Sequence, residues 1–364
     1  MTWNVKKALG FILLLVVIIR IPTYYTYIMD VDESQYGEFA IKVVNGQKPY
    51  VSSIGEKPPL MYYFFVWIFE AFGKNNYPMV HVVTALWVAL TALFVFLIAR
   101  LRFGDPVALS AALLYAIFSA SHEPKIISTN GETLMNLPLV IGIYFFTLYE
   151  FRKRALGFLF LTGIFSGIAM LFRHQAGMQI GFLGIYFFLV YVILDREGST
   201  LKGFLRRARD MGILGIGWLI PPVIAVLILR HMGNDVLEQF VFWNFSFNFK
   251  YISAGSQGMS WSFALIRVSI FVLFTLPVWY YVYRGMRTII PGLIGKIRER
   301  MLDNTHRNNI FVLLWLVMSF LPVFVGGRFY SHYFVQFFPA FFLAGAVGAG
   351  YLFDHYSKSL SETA

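Results

Sequence analysis

The stretch Leu9-Gly10-Phe11-Ile12-Leu13-Leu14-Leu15-Val16-Val17-Ile18-Ile19, followed by Met29-Asp30-Val31-Asp32-Glu33-Ser34-Gln35-Tyr36-Gly37-Glu38, decides how the rest of the chain is read. The first part is apolar without a break and anchors a membrane helix over 8–29. The second places three carboxylates where that helix leaves the bilayer. A small-residue cleavage site is missing and many more apolar segments follow, so the helix is expected to be retained. Farther on stands Gly55-Glu56-Lys57-Pro58-Pro59-Leu60-Met61-Tyr62-Tyr63. Acids and a rigid Lys-Pro-Pro turn are poor filler beside lipid, and they point to chemistry at the membrane surface on a membrane-borne substrate.

Composition supports a membrane chain. Of 364 residues 58% are hydrophobic and 13% charged, against about 25% charged in soluble domains. The aromatic load (Phe 39, Tyr 21, Trp 8) suits rings packed in lipid and at its interfaces. The absence of cysteine excludes disulfides and thiolate chemistry. The net charge of +11 lies in short loops between apolar runs rather than on a soluble basic face, so no nucleic-acid partner is expected.

Apolar segments fall at 8–29, 78–99, 106–122, 132–149, 157–172, 176–194, 211–230, 261–283, 309–326 and 333–352. The segment 58–73 opens with two prolines and contains Glu70, and it reads as an eleventh span or as an interfacial helix. Charge placement favours the second. With a cytoplasmic N-terminus and 58–73 not crossing, Lys6/Lys7, Arg100/Arg102, Arg152/Lys153/Arg154 and Arg206/Arg207/Arg209 all fall inside, as the positive-inside rule requires. The expected fold is an all-α polytopic membrane protein of about ten spans, one domain over 1–364, with both termini cytoplasmic. Residues 30–77 form its first outer loop with interfacial helices, and 284–308 a basic cytoplasmic loop.

This topology gathers the unusual side chains on the outer face. Asp30, Asp32 and Glu33 exceed what one helix cap needs, and their mutual repulsion suits one of them to take up a proton as a general base. One of them serving as a cap for a helix through Tyr36 and Ala40 is the plainer reading. Ser121-His122-Glu123-Pro124-Lys125 and Thr129-Asn130-Gly131-Glu132-Thr133 lie at two outer helix ends. There Glu132, beside Asn130, orients a sugar hydroxyl, neutralises a cation, or is a first-turn acid on the helix dipole. Lys57, Arg173-His174 and Gly327-Arg328-Phe329-Tyr330-Ser331-His332-Tyr333 supply outward cations that suit a lipid-linked phosphate. The aromatic and amide-rich 231–260 reads as an interfacial anchor or a sugar-stacking wall.

In order and spacing these motifs resemble the polyprenyl-phosphate-dependent membrane glycosyltransferases of the GT-C fold: the protein O-mannosyltransferase, aminoarabinose transferase and rhizobial lipopolysaccharide glycosyltransferase superfamily. The residues that carry the resemblance are Asp32-Glu33-Ser34-Gln35-Tyr36, Lys57-Pro58-Pro59-Leu60 with Tyr62 and Tyr63, the turn Phe72-Gly73, Glu132, and Arg328, His332, Tyr333 and Pro339. The chain departs from the pattern where Glu132 follows Asn130-Gly131, a place at which many relatives have Asp.

The resemblance implies a GT-C-like bundle and inverting transfer of a monosaccharide from a polyprenyl-phosphate donor to a glycolipid, lipopolysaccharide or protein. It implies Asp32 as the base, with Asp30, Glu33, Asn130 and Glu132 supporting it or orienting the sugar. Lys57 and Arg328 would bind the donor phosphate. Tyr36, Tyr62, His122, Arg173, His174, His332 and Tyr333 are further candidate contacts. Metal use varies in that superfamily, and two separated acids define no metal site, so no cofactor is assigned. Membrane lipids are the expected surroundings and a bacterial or archaeal plasma membrane the expected location. The competing expectation is a transporter or flippase of a lipid-linked or small anionic substrate. It would place ionisable groups near midplane, where Arg20 and Arg267 are the candidates.

Overall fold

The computed structural model describes residues 3–120, 124–152, 154–194, 200–257, 261–299, 302–325 and 327–363, and among these it contains helices and no strand. The helices are α1 (Trp3–Ile19), α2 (Val31–Val44), α3 (Pro59–Phe72), α4 (Tyr77–Phe103), α5 (Asp105–Phe118) and the single turn α6 (Pro124–Ile127). There follow α7 (Gly131–Phe151), α8 (Leu156–Phe172), α9 (Met178–Phe188), α10 (Leu201–Met232), α11 (Asn234–Val241) and α12 (Asn248–Gln257). The last four are α13 (Trp261–Phe274), α14 (Leu276–Glu299), α15 (Asn304–Phe320) and α16 (Phe338–Thr363). A π-turn, Leu189–Ile193, continues α9.

Among the described residues seven helices are long and apolar enough to cross a membrane, and an eighth is formed if α13 and α14 count as one bent span. This is an integral membrane protein. The span expected at 106–122 is shorter than anticipated, since α5 has 14 residues, while α8, with 17, matches the expected 157–172; the two give roughly 21 and 26 Å of helix against about 30 Å of hydrocarbon. The expected span 261–283 is not straight, for it bends by 81° between Phe274 and Leu276. Pro277 explains the break. It offers no N–H and is accommodated in the first turn of α14, while the Thr275 hydroxyl turns back onto the Phe271 carbonyl at 2.7 Å. The basic segment 284–308, expected as a loop, is helical through Glu299. Ile289 and Leu293, four apart, bury one face of α14 while Arg287 stays exposed.

Local signals set several helix starts. Asp30 Oδ1 accepts from Val31 N at 2.7 Å, and Asn130 Oδ1 accepts from Thr133 N at 2.8 Å. Pro59 begins α3, which at 14 residues is also too short for a straight span. The apolar face of α3 packs on α2 through an aromatic cluster. Phe39 stacks on Tyr62 with centroids 3.9 Å apart, and Tyr36 meets Tyr62 edge-on at 5.8 Å. This pair of short helices forms a platform at one end of the bundle.

Helix packing depends on small residues, because lipid removes the hydrophobic drive between spans. Gly163 and Gly167, spaced by one turn on α8, meet α10 at backbone distance. A Cβ at Gly163 would lie 2.1 Å from the Leu214 carbonyl oxygen, and one at Gly167 would lie 2.5 Å from that of Trp218. Gly212, also on α10, faces open space. Gly163→Ala is therefore expected to cost about 1–3 kcal/mol by forcing the helices apart, and Gly212→Ala to cost nothing. Thermal unfolding of the two variants in one detergent checks this.

Candidate active site

The platform end of the bundle collects the acids and cations anticipated from sequence, but it uses them in different ways. Glu33 is fully buried. Its Oε1 accepts from Thr129 N at 2.6 Å, its Oε2 from Met29 N at 2.8 Å, and both oxygens lie 3.2 Å from His81 Nε2. His81 Nδ1 faces the Thr23 carbonyl at 2.7 Å. A carbonyl only accepts, so Nδ1 is the donor of that pair, and the other ring nitrogen faces the carboxylate. Glu33 is thus spent on holding α2, α4 and the 128–130 loop together and is not free to orient a sugar. Asn130 is likewise committed, with Oδ1 in its cap and Nδ2 donating to the Lys125 carbonyl at 2.8 Å.

The other acids have cationic partners. Asp30 caps α2 and lies 3.3 Å from Lys125 Nζ. Glu132, buried in the first turn of α7, pairs with Arg173 Nη2 at 2.8 Å. Glu56, which the sequence reading did not single out, pairs with Lys57 Nζ at 2.8 Å. Asp32 differs. Its neighbour is His332 Nε2 at 3.8 Å, its side chain is 31% exposed, and among the described residues no lysine or arginine pairs with it. Asp30, Asp32 and His332 also offer three ligand atoms within 4.8 Å of one another. Two carboxylates and an imidazole can hold a divalent ion, and Lys125 competes for Asp30 there.

Beside these acids a cavity of about 480 Å³ opens between the platform and the segment 244–252. Lys57, Arg173, His174, Tyr251, Arg328 and Tyr333 are among its lining residues. Asp32 stands outside that lining, linked to it through His332, which packs edge-on against Tyr333 at 4.7 Å. Arg328 lies over the Tyr251 ring at 3.9 Å. Among the described residues neither Arg328 nor Arg267 has a carboxylate partner, and Arg267 sits over the Tyr330 ring at 4.6 Å.

Lys57 is held by the backbone on both sides. Its N–H donates to Tyr62 Oη at 3.2 Å, and its carbonyl accepts from Tyr50 Oη at 3.1 Å. Asn244 and Asn248, on the opposite wall, donate to the Gly55 and Glu56 carbonyls, each at 2.9 Å. Burial, and then the nearby Arg173, lower the Lys57 ammonium below the usual lysine value in spite of Glu56. Burial raises Glu56, but Lys57 outweighs it and holds the carboxyl below its ordinary range. Burial lowers Arg173, and the Glu132 charge more than restores it.

The structure thus brings together Asp30, Asp32, Lys57, Glu132, Arg173, His174, Arg328, His332 and Tyr333 at one end of the bundle. Tyr36 and Tyr62 lie behind them in the aromatic platform, and His122 falls outside the described residues. The sequence reading marked the amides of 231–260 as a candidate wall but not as partners of the Gly55 and Glu56 carbonyls, and it missed His81. Nothing near His81 in the sequence marks it as a partner of Glu33. Arg20, a candidate midplane group, is buried and donates to the Ser119 carbonyl at 2.9 Å and to that of Ile127. It binds helix ends rather than lining a cavity.

Residues 56–206 match the family of dolichyl-phosphate-mannose-protein mannosyltransferases. No curated protein matches the chain. Several solved structures do. The Archaeoglobus fulgidus oligosaccharyltransferase, in complex with Zn and sulfate, superposes with a TM-score of 0.61 at 17% identity, over 96% of this chain and 49% of that one. The same organism's oligosaccharyltransferase AglB, in complex with an inhibitory peptide and a dolichol-phosphate, gives 0.61 at 14% identity over 100% and 52%. ArnT from Cupriavidus metallidurans, bound to undecaprenyl phosphate, gives 0.58 at 16% identity over 92% and 59%. The chain spans about half the length of the solved structures it matches. At such identities the likeness establishes the fold, which is that of the GT-C glycosyltransferases, as the sequence motifs implied.

Replacing Glu33 by Gln removes the charge that three segments share. The expected result is a loss of about 3–5 kcal/mol, read as a fall in the thermal midpoint with or without any substrate present. A Glu33→Gln protein as stable as wild type would remove this residue from its structural role.

Proposed function

We propose that the chain transfers a monosaccharide, with inversion at the anomeric carbon, from a polyprenyl-phosphate donor to a hydroxyl of a glycolipid, lipopolysaccharide or protein on the outer face of the membrane. The observation that carries this reading is the division of labour among the acids. Glu33, Asp30, Glu56 and Glu132 are each engaged by a protein partner, and Asp32 is left half-exposed beside a cavity rich in cations. A general base needs an uncommitted carboxylate within reach of the proton it takes. The family match over 56–206 and the fold support the same reaction class.

In this mechanism the donor phosphate sits against Lys57, Arg173 and Arg328, and the sugar extends towards His332 and Asp32. The acceptor oxygen attacks C1 from the side opposite the phosphate. Its proton passes to the Asp32 carboxylate as the new C1–O bond forms, and the old C1–O bond breaks with its electron pair staying on the polyprenyl phosphate. Fixed cations stabilise that departing charge without reorganising. Arg173, held by Glu132, and Lys57, strapped by Tyr50, Tyr62 and two asparagines, are preorganised for this task. A divalent ion at Asp30, Asp32 and His332, when bound, would add positive charge near the acceptor oxygen.

The test is release of polyprenyl phosphate by purified protein in lipid vesicles, offered a panel of polyprenyl-phosphate sugars with an acceptor extract. Wild type is expected to consume one donor, and Asp32→Asn, with its thermal midpoint unchanged, to be slower by about 10²–10⁴-fold. Normal turnover by a folded Asp32→Asn protein would sink the assignment. Silence across the whole panel would bring the transport reading forward.

Lys57→Gln is expected to lower kcat/KM for the donor by roughly 10–100-fold, the worth of a charged hydrogen bond of about 1.5–3 kcal/mol. Because the Lys57 ammonium is lowered, the phosphate-binding form is full at neutral pH and is lost as pH rises. The alkaline fall in donor kcat/KM should therefore begin below the ordinary lysine range of about 10.4. In Lys57→Arg that fall should move upward.

A further inference from the structure

We infer that the opposite end of the bundle carries a second site, one that binds a phosphate group. The α9 segment opens at His174 in the cavity described above and closes at Tyr191, 17 residues and roughly 25 Å farther along at 1.5 Å per residue. Three guanidinium groups gather on the Tyr191 ring. Their central carbons lie 4.8 Å (Arg154), 5.1 Å (Arg207) and 5.5 Å (Arg307) from its centroid. They arrive from three separate places: the α7–α8 connection, α10 and α15.

The carboxylates nearby are already occupied. Glu150 pairs with the buried Arg102 and accepts from Tyr186 Oη at 2.8 Å and Tyr191 Oη at 2.7 Å. Asp210 accepts from Tyr149 Oη at 2.8 Å and Arg209 Nη2 at 2.8 Å, and lies 3.9 Å from Arg207 Nη1. Among the described residues Arg154 and Arg307 have no carboxylate partner, and Arg307 Nε is buried without a hydrogen bond. One aromatic ring can attract cations, but it cannot cancel the charge of Arg154 and Arg307.

A cavity of about 170 Å³ lies at this point, lined by Glu150, Tyr191, Asn304, Arg307 and Asn308 among others. Asn304, Arg307 and Asn308 stand at i, i+3 and i+4 in the first turns of the 17-residue α15, whose N-terminus is capped by Asp303, the carboxylate accepting from His306 N at 2.9 Å. Of the three arginines Arg307 itself lines the cavity, and Arg154 and Arg207 stand on the Tyr191 ring that borders it. A forked guanidinium donor with two more cations behind it, in a small polar cavity, suits the tetrahedral oxygens of a phosphate. The space takes a phosphate group and a few waters, not a sugar with its lipid. The phosphate belongs either to an anionic lipid headgroup of that leaflet or to a solute on that side of the membrane. Neither source takes part in the proposed sugar transfer.

The test uses the full chain in nanodiscs. Inorganic phosphate is titrated in phosphatidylcholine discs against sodium chloride of equal ionic strength, and the thermal midpoint is followed. In a second arm, native mass spectrometry counts phosphatidylglycerol retained from mixed discs. Wild type is compared with Arg154→Gln/Arg307→Gln and with Asn304→Asp. The last places a negative charge at the cavity from an exposed position where a first-turn acid does not harm the helix, so it decides the matter if the double variant fails to fold. The active-site cations are intact in all three proteins, and differences between them report the second site alone. We expect at least tenfold weaker phosphate binding or loss of the retained lipid in both variants. Lipid retention identifies a headgroup as the source, and a phosphate response without it identifies a solute. Identical behaviour of wild type and variants in both arms overturns the proposal.

Discussion

The carboxylate of Glu33 is the point on which the candidate site depends. It lies in the first turn of α2, yet its partners come from the preceding chain, from α4 and from the loop that leads into α7. A buried charge in a lipid-embedded protein is tolerated only when each of its lone pairs is answered. Once that condition fixes Glu33, the start of α2 has no freedom left, and Asp32, one residue earlier, is set on the opposite course towards His332. The structural acid and the candidate base are therefore neighbours in sequence because they do opposite things. One is sealed by the fold, and the sealing is what aims the other.

The same logic governs the cations. Glu132 holds Arg173, Glu56 holds Lys57, and aromatic rings carry Arg267 and Arg328 where carboxylates do not. Pairing with an acid keeps a cation ionised but dilutes its field. Stacking on a ring keeps it in place and leaves its charge for a ligand. The cavity combines both kinds, which suits a dianionic leaving group that must be held firmly and then released.

How much of this was legible in the sequence follows from range. The helix caps at Asp30 and Asn130 and the entry of α3 at Pro59 depend on a few adjacent residues and could be read directly. So could the gathering of acids and cations, because charge in so apolar a chain has few places to go. The partners could not. The Glu33–His81 pair joins residues far apart in the chain, and no local pattern distinguishes His81 from any other histidine at the start of a span. Periodicity also overlooked the close approach of α8 and α10, although Gly163 and Gly167 stand a turn apart in plain view. The reason is that small residues signal a contact without naming the helix they meet. In the sequence the amphipathic half of α14 reads as a loop because its arginines and lysine outweigh a buried face of one residue per turn.

The two ends of the bundle pose one problem in two forms. A membrane protein that binds phosphate at its surface has to hold arginines together there without neutralising all of them. At the platform end Glu132 and the cavity aromatics hold that balance around a large space. At the other end Tyr191 receives three guanidiniums around a small one, and the nearby acids are turned to Arg102, Arg207, Arg209 and tyrosine hydroxyls, which leaves Arg154 and Arg307 without a carboxylate among the described residues. Arginines meant only to mark the inner side of a membrane need not converge, since scattered side chains satisfy the positive-inside rule equally well. Convergence from three separate segments costs repulsion and side-chain entropy, and a fold retains such an arrangement where an anion repays it.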